Sequence, residues 1–162
     1  CVPDVMREVR ILSLEIQRMP KDAQHEFADT WSYPYFSVCA TSTHDMSPLR
    51  SWWKEDRGVT QRFWNQVLGK YGEAPAECTP DISLSIILMH LQSASMLAIL
   101  PLQDYLSLKP ELCMEDPDKE RINVPAISPF YWRFRMKTTI EELINDDITG
   151  YIRSLIRDCG RR

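Results

Sequence analysis

Phe36-Ser37-Val38-Cys39-Ala40-Thr41-Ser42-Thr43-His44-Asp45 changes character part-way along. Phe36 to Thr41 is an apolar, β-prone run. Ser42 to Asp45 is polar. Ser47-Pro48 follows, which reads as an N-cap and a proline at the first helical position. Arg50, Trp52 and Trp53 lie just behind. A His-Asp pair between the end of a strand and the start of a helix stands where an α/β barrel places its chemistry.

Outward from this stretch, strands and helices alternate. Upstream, Ile11-Leu12-Ser13-Leu14-Glu15-Ile16 predicts another strand, apolar enough to be buried on both faces, as in a parallel sheet. Before it, Val2, Val5, Met6 and Val9 have the spacing of an amphipathic helix. Residues 17–35 form a long polar and aromatic stretch with Pro20 and Pro34, and long loops in compact domains are often functional. Downstream, Val59, Phe63, Val67 and Tyr71 recur every fourth residue, predicting a helix over 59–71 that Gly72 is placed to end. Thr79-Pro80-Asp81 opens a further helix over 81–92 by the same cap-plus-proline logic. Ser95-Met96-Leu97-Ala98-Ile99-Leu100 predicts a third strand and runs into the polar cluster Pro101-Leu102-Gln103-Asp104. Residues 109–130 read as irregular, with Pro110, Pro117, Pro125 and Pro129. A helical segment is expected from about residue 139, where Thr139 and Glu142 have capping-box spacing. Tyr151, Ile152, Leu155 and Ile156 form one face of its last helix, and Gly160 its end. Strands joined by helical connections imply an α/β fold with parallel pairing. Three strands do not close a barrel by themselves.

Composition narrows the function classes. The chain has 162 residues, 44% hydrophobic and 26% charged, close to an ordinary soluble domain. Its net charge of −4 speaks against binding nucleic acid, which calls for a basic patch. No apolar run reaches the roughly 18 residues of a membrane span, and the N-terminus has no secretory pattern. The five cysteines are widely spaced and form no CxxC pair. They read as reduced, buried thiols of a cytoplasmic protein. No GxGxxG or other phosphate loop is present, so no nucleotide cofactor is expected.

Several residues could carry chemistry. Glycoside chemistry commonly uses two carboxylates around the scissile bond. Glu15 in one strand and Asp45 just past the next invite that pairing. The alternative is that Glu15 is a partnered strand-end carboxylate, with Arg18 or Gln17 as the partner. His44 suits a general base, a metal ligand or a hydrogen-bonding clamp. No second His-carboxylate cluster accompanies it, so no metal site is expected. His25 and His90 are isolated, and His90 lies in an apolar helix as a satisfied core residue would. A Cys39–His44 nucleophilic pair is disfavoured, because a thiol inside an apolar strand is usually inert. Trp31, Tyr33, Tyr35, Trp52, Trp53, Phe130, Tyr131 and Trp132 crowd the polar segments. Aromatic rings stack on the apolar faces of sugars and equally fill cores. Trp52 and Trp53, on a helix, are expected in the core; for Trp31, Tyr33 and Tyr131, in loops, both roles stay open.

Four ordered motifs then resemble one family. They are Ile11-Leu12-Ser13-Leu14-Glu15-Ile16-Gln17-Arg18-Met19-Pro20, Thr41-Ser42-Thr43-His44-Asp45-Met46, Pro101-Leu102-Gln103-Asp104, and Arg121-Ile122-Asn123-Val124-Pro125 with Tyr131-Trp132-Arg133-Phe134-Arg135. Together they resemble the C-terminal part of 4-α-glucanotransferases, also called amylomaltases or disproportionating enzymes, and most of all the large form of plants and some bacteria. The likeness runs from about Val2 to Leu143.

The resemblance implies that residues 1–162 are the C-terminal portion, about strands six to eight, of a (β/α)8 barrel. It implies retaining transfer of an α-1,4-glucan segment to the 4-hydroxyl of another sugar, with maltodextrins and possibly starch- or glycogen-derived glucans as partners. It also implies no cofactor, no metal, no nucleic acid and no membrane. Carried over by motif, Asp45 is the third catalytic carboxylate and His44 a clamp on the same sugar. Asn123 lines the donor subsites. Gln103 and Asp104 either support the site or contact sugar. The family's nucleophile Asp and acid/base Glu would lie upstream of Cys1, so Glu15 is neither, and the chain is expected to be an inactive piece of a longer enzyme. Ser51, where glycine is expected before the tryptophans, and Ala126-Ile127, where many relatives carry Gly-Thr, depart from the pattern. A retaining α-glucan hydrolase and a non-catalytic α/β binding module are the alternatives.

Overall fold

The computed structural model describes residues 2–129 and 132–161. The elements run α1 (Val2–Glu8), β1 (Ser13–Ile16), β2 (Ser37–Ala40), α2 (Leu49–Glu55), α3 (Arg57–Gln66), α4 (Pro80–Leu91), β3 (Leu97–Ala98), α5 (Leu102–Leu106), α6 (Ile140–Asn145) and α7 (Asp147–Asp158). Single 3-10 turns occupy Thr30–Ser32, Pro110–Leu112 and Pro117–Glu120. The strands form one parallel sheet in the order β1-β2-β3, as the helical connections require.

Register explains the two faces of this sheet. Leu14 pairs with Val38, and Val38 with Leu97. Side chains alternate along a strand, so these three share a face. Leu14 is 50% and Leu97 43% exposed. Glu15, Cys39 and Ala98 form the next row. Cys39 is fully buried, with its Sγ 3.5 Å from the His90 carbonyl at the end of α4. The expectation that β1 is buried on both faces therefore needs correction: the apolar row of Leu14, Val38 and Leu97 is left partly bare.

The core gathers Leu49 and Trp53 of α2, Phe63 of α3, Ala74 and Cys78 of the next connection, and Ile82 and Ile86 of α4. Full burial of each large apolar side chain contributes roughly 1.5–3 kcal/mol. Phe63 lies edge-on to Phe27, at 5.0 Å between centroids, and to Trp52 at 5.2 Å. The Trp53 indole N–H donates to the Pro75 carbonyl at 2.9 Å. Trp53 is thus a core residue, as expected, while Trp52 is partly buried and packs against that core.

Helix ends follow local chemistry, with some shifts. Thr79 caps α4 through the Ile82 amide, and Thr139 and Glu142 form the expected capping box of α6. The helix containing Val59 is shorter than predicted. It starts after Asp56, whose carboxylate accepts from the Gly58 and Val59 amides, and ends at Gln66. Gly69 and Gly72 both have positive φ, so the chain turns away and leaves Tyr71 95% exposed. α2 begins one residue later than the sequence suggests. Pro48, whose side chain has no acceptor, takes the cap position, while the Ser47 hydroxyl is bonded to the Glu55 carboxylate. Asp104, from α5, supplies the missing acceptor at the Leu49 amide.

Only two residues of the expected third strand are extended in ladder geometry, and α5 follows where a polar cluster was read. α1 forms, but none of its residues is buried. In α7, Ile148 is buried, whereas Tyr151, expected on the packed face, is exposed. After Gly160, the Arg161 guanidinium donates to the Ser93 and Ser95 carbonyls at 2.7 and 3.0 Å, tying the chain back to the α4–β3 connection.

Candidate functional site

The site is built on the loop from β2 to α2, residues 41–48. Its base is fixed from both neighbouring strands. After β1, Arg18 donates from Nε and Nη2 to the Thr41 carbonyl at 3.0 and 2.9 Å, and from Nη2 to the Ser47 carbonyl at 2.8 Å. The Arg18 Cζ lies 4.8 Å from the Trp52 ring centroid. Burial pulls the Arg18 pKa down to about 10, against the attraction of Asp104 and Glu55. After β3, Asp104 is 1% exposed and accepts from the Thr41 hydroxyl through one oxygen and from the Leu49 amide, at 2.8 Å, through the other. Burial pushes the Asp104 carboxyl up, opposed by those two hydrogen bonds and by Arg18.

The tip is open. Asp45 faces two partners. Asn123 Nδ2 donates to Oδ1 at 2.6 Å, and His44 Nε2 lies 3.4 Å from Oδ2. The His44 and Asp45 side chains are 56% and 49% exposed. The His44 ring lies 5.3 Å from the Trp132 ring, tilted by 44°. Beside the tip is a cleft of about 370 Å³, lined by Thr43, His44, Met46, Leu102, Gln103 and Ile122 among others.

Asn123 reaches Asp45 because its segment is clamped to α2. Arg50 Nη1 donates to Glu120 Oε1 at 2.6 Å and to the Met114 carbonyl at 3.0 Å. The Ser51 hydroxyl donates to Asp118, and Gln103 Nε2 to the Glu120 carbonyl at 3.1 Å. Burial raises the Glu120 pKa, with Arg50 opposing most strongly. Ser51, the departure from the motif, therefore contributes a bond that glycine has no side chain to make.

The structure brings together His44, Asp45, Asn123 and the Gln103 wall of the cleft. It does not bring Asp104 there: one of its oxygens accepts from the Thr41 hydroxyl and the other from the Leu49 amide. Glu15 accepts from the Ser13 hydroxyl at 2.6 Å and from Lys21. It is the partnered strand-end carboxylate foreseen, but its partners are neither Arg18 nor Gln17. Cys39 meets Ser93 at 3.3 Å rather than His44. His90 is fully buried, its Nδ1 meets the Ile86 carbonyl at 2.8 Å, and the Ala40 backbone also hydrogen-bonds the ring. Burial pulls the His90 pKa down to about 4. Tyr33 is buried and Trp31 exposed. Phe130 and Tyr131 lie outside the described residues. Among the described residues, no group of His, Cys, Asp and Glu has the arrangement of a metal site, and no helix is long and apolar enough to cross a membrane.

The loop roles of Arg18, Arg50, Glu120 and Trp132 were not legible in the sequence. The sequence offers Arg18 as one of two partners for Glu15, and Trp132 as one of several aromatics and a member of a family motif.

A half-exposed carboxylate, an amide, an imidazole and an indole thus stand together beside an open cleft. They stand on a parallel α/β sheet, at the exit of its central strand, which is the architecture of an α/β protein. The chain belongs to the 4-alpha-glucanotransferase family (glycoside hydrolase family 77), whose model matches residues 1–141. It is 43% identical over 162 residues to 4-alpha-glucanotransferase DPE2 of Oryza sativa subsp. japonica, covering 99% of this chain and 17% of that protein. It is 38% identical over 114 residues to a 4-alpha-glucanotransferase of Chlamydia trachomatis, covering 68% of this chain and 21% of that protein. Among solved structures it resembles the amylomaltase from Streptococcus agalactiae in complex with acarbose, with a TM-score of 0.71 at 14% identity. That superposition covers 99% of this chain and 29% of that one, and it shows the shared fold. The chain thus spans about a fifth of the length of these two sequence relatives.

Proposed function

We propose that this chain is the C-terminal part of the catalytic barrel of a 4-α-glucanotransferase, with β1, β2 and β3 standing as its sixth to eighth strands. The observation that carries the reading is the Asn123–Asp45 hydrogen bond of 2.6 Å. It joins two motifs, far apart in sequence, on one carboxylate at the mouth of a cleft. The partly bare row of Leu14, Val38 and Leu97 supports the barrel reading, since in a closed barrel that face turns to the interior.

In this reading, the enzyme transfers an α-1,4-glucan segment to the 4-hydroxyl of a glucose or glucan acceptor, with retention. Asp45 accepts hydrogen bonds from hydroxyls of the sugar at the cleavage point. Those bonds strengthen as the ring gains oxocarbenium character, which lowers the barrier rather than merely tightening binding. Asn123 holds one Asp45 oxygen and lines the donor side. His44, backed by Trp132, clamps the same sugar, and Gln103 forms the cleft wall. The nucleophile and the acid/base are carboxylates outside this chain. Maltodextrins are the substrates, drawn from starch or glycogen. The enzyme works in the cytoplasm, a setting that suits the free Cys39, Cys78, Cys113 and Cys159.

Maltotriose tests the reading in the full-length enzyme. Transfer yields glucose together with glucans longer than maltotriose. Hydrolysis yields shorter sugars only and would replace this proposal with the hydrolase reading. No change at all would point to a binding module.

A further inference from the structure

We infer that Arg18 is a positioning residue for Asp45, acting as a planar staple across the two ends of the loop that carries it; this rests on the role proposed for Asp45. Arg18 faces neither the cleft nor the carboxylate. Its Nε and Nη2 hold the Thr41 carbonyl at 3.0 and 2.9 Å, and the same Nη2 holds the Ser47 carbonyl at 2.8 Å. Thr41 lies one residue past the end of β2 and Ser47 one residue before the Pro48 cap of α2. Both carbonyls therefore lie outside the strand and the helix. One rigid group spans them, and His44 and Asp45 sit between.

The staple is itself held. Trp52, on the helix that the loop enters, packs under the guanidinium at 4.8 Å. On the other side of the loop, Asp104 grips the Thr41 hydroxyl and the Leu49 amide. A cation from the β1 exit and an anion from the β3 exit thus bracket the β2 exit. Their charges attract across it. The separation of the loop ends sets how far Asp45 stands above the strand. Catalytic geometry is steep in that variable: a shift of about 1 Å at the reacting centre costs on the order of 10²-fold in rate. Lysine is no substitute, because a single ammonium on a flexible stem lacks the fixed fork that meets two carbonyls at once.

The test uses the full-length enzyme with maltotriose. Arg18→Lys keeps the charge and removes the fork. We expect kcat to fall about 10- to 100-fold, with KM within about threefold and the melting temperature within a few degrees of the parent. An unchanged kcat, or a KM that rises while kcat holds, would overturn the inference. If Arg18→Lys does not fold, Arg18→Gln, which can reach one carbonyl, is measured in the same way. Failure of both to give soluble protein would also overturn it, since Arg18 would then be holding the fold rather than aiming Asp45. Asp45→Asn run alongside separates the two claims. Normal turnover in Arg18→Lys beside a crippled Asp45→Asn sinks the staple alone, while normal turnover in Asp45→Asn sinks the functional reading beneath it.

Discussion

Asp45 and Asp104 are the same residue type, each just past a strand of one sheet, and the two ends of the β2–α2 loop use them in opposite ways. At the base, Asp104 is buried with both oxygens occupied by the protein, and burial pushes its pKa up. At the tip, Asp45 is half exposed, and among the described residues its carboxylate meets Asn123 and His44. The base turns charge into loop geometry, because a carboxylate buried with a protein donor on each oxygen has no open side for a ligand. At the tip, the partners leave part of the carboxylate facing outward, which is what the proposed contact with sugar requires. Environment, not residue type or distance from the strand, separates scaffold from chemistry here.

The harshest way to break this comparison is to isolate the tip. The purified 162-residue chain should give no transfer from maltotriose, because a stabilising carboxylate without nucleophile and acid/base has no covalent step to assist. Glucose released with longer glucans would contradict it. Next in size comes acid sensitivity beneath the base. His90 is buried neutral, with its pKa pulled from 6.5 to about 4. The unfolded chain then binds a proton that the folded one refuses, so stability is full above about pH 6.5 and falls as pH drops towards 4. The loss across that window is about 3 kcal/mol. Denaturant titrations of the full-length enzyme at pH 7 and 4.5 should show this slope, and His90→Leu should flatten it. An equal slope in the variant would assign the acid sensitivity elsewhere. Smaller again is Asp104→Ala, which strands the Thr41 hydroxyl and the Leu49 amide. Offset by relief of the carboxylate's own desolvation, it should cost about 2 kcal/mol of stability. A cost near zero would show that the base is not braced by this residue.

Much of the tip was legible in the sequence, and little of the base. Ser42 to Asp45 could be read because a polar cluster between an apolar run and a helix start has few structural explanations. Asn123 was reached through its motif, not through any local signal of contact with Asp45. The base was hidden because its partnerships are long-range. Nothing in the sequence near Arg18 indicates that its fork meets Thr41 and Ser47, and Pro101 to Asp104 reads as an open polar cluster until α5 turns Asp104 inwards. Periodicity also misled at the margins. Tyr71 continued the pattern of Val59, Phe63 and Val67, yet Gly69 had already turned the chain. Leu14 looked like a residue buried from both sides, because apolarity records what a strand is suited to pack against and not whether that partner belongs to the same segment.

Asp45→Asn in the full-length enzyme, assayed with maltotriose, tests the role of the tip most directly. The variant keeps shape and loses charge. The expected result is a kcat lower by on the order of 10²–10³-fold, with KM within a few-fold and melting unchanged, as for loss of an interaction made mainly in the transition state. A variant that turns over maltotriose at the parent rate would contradict the account.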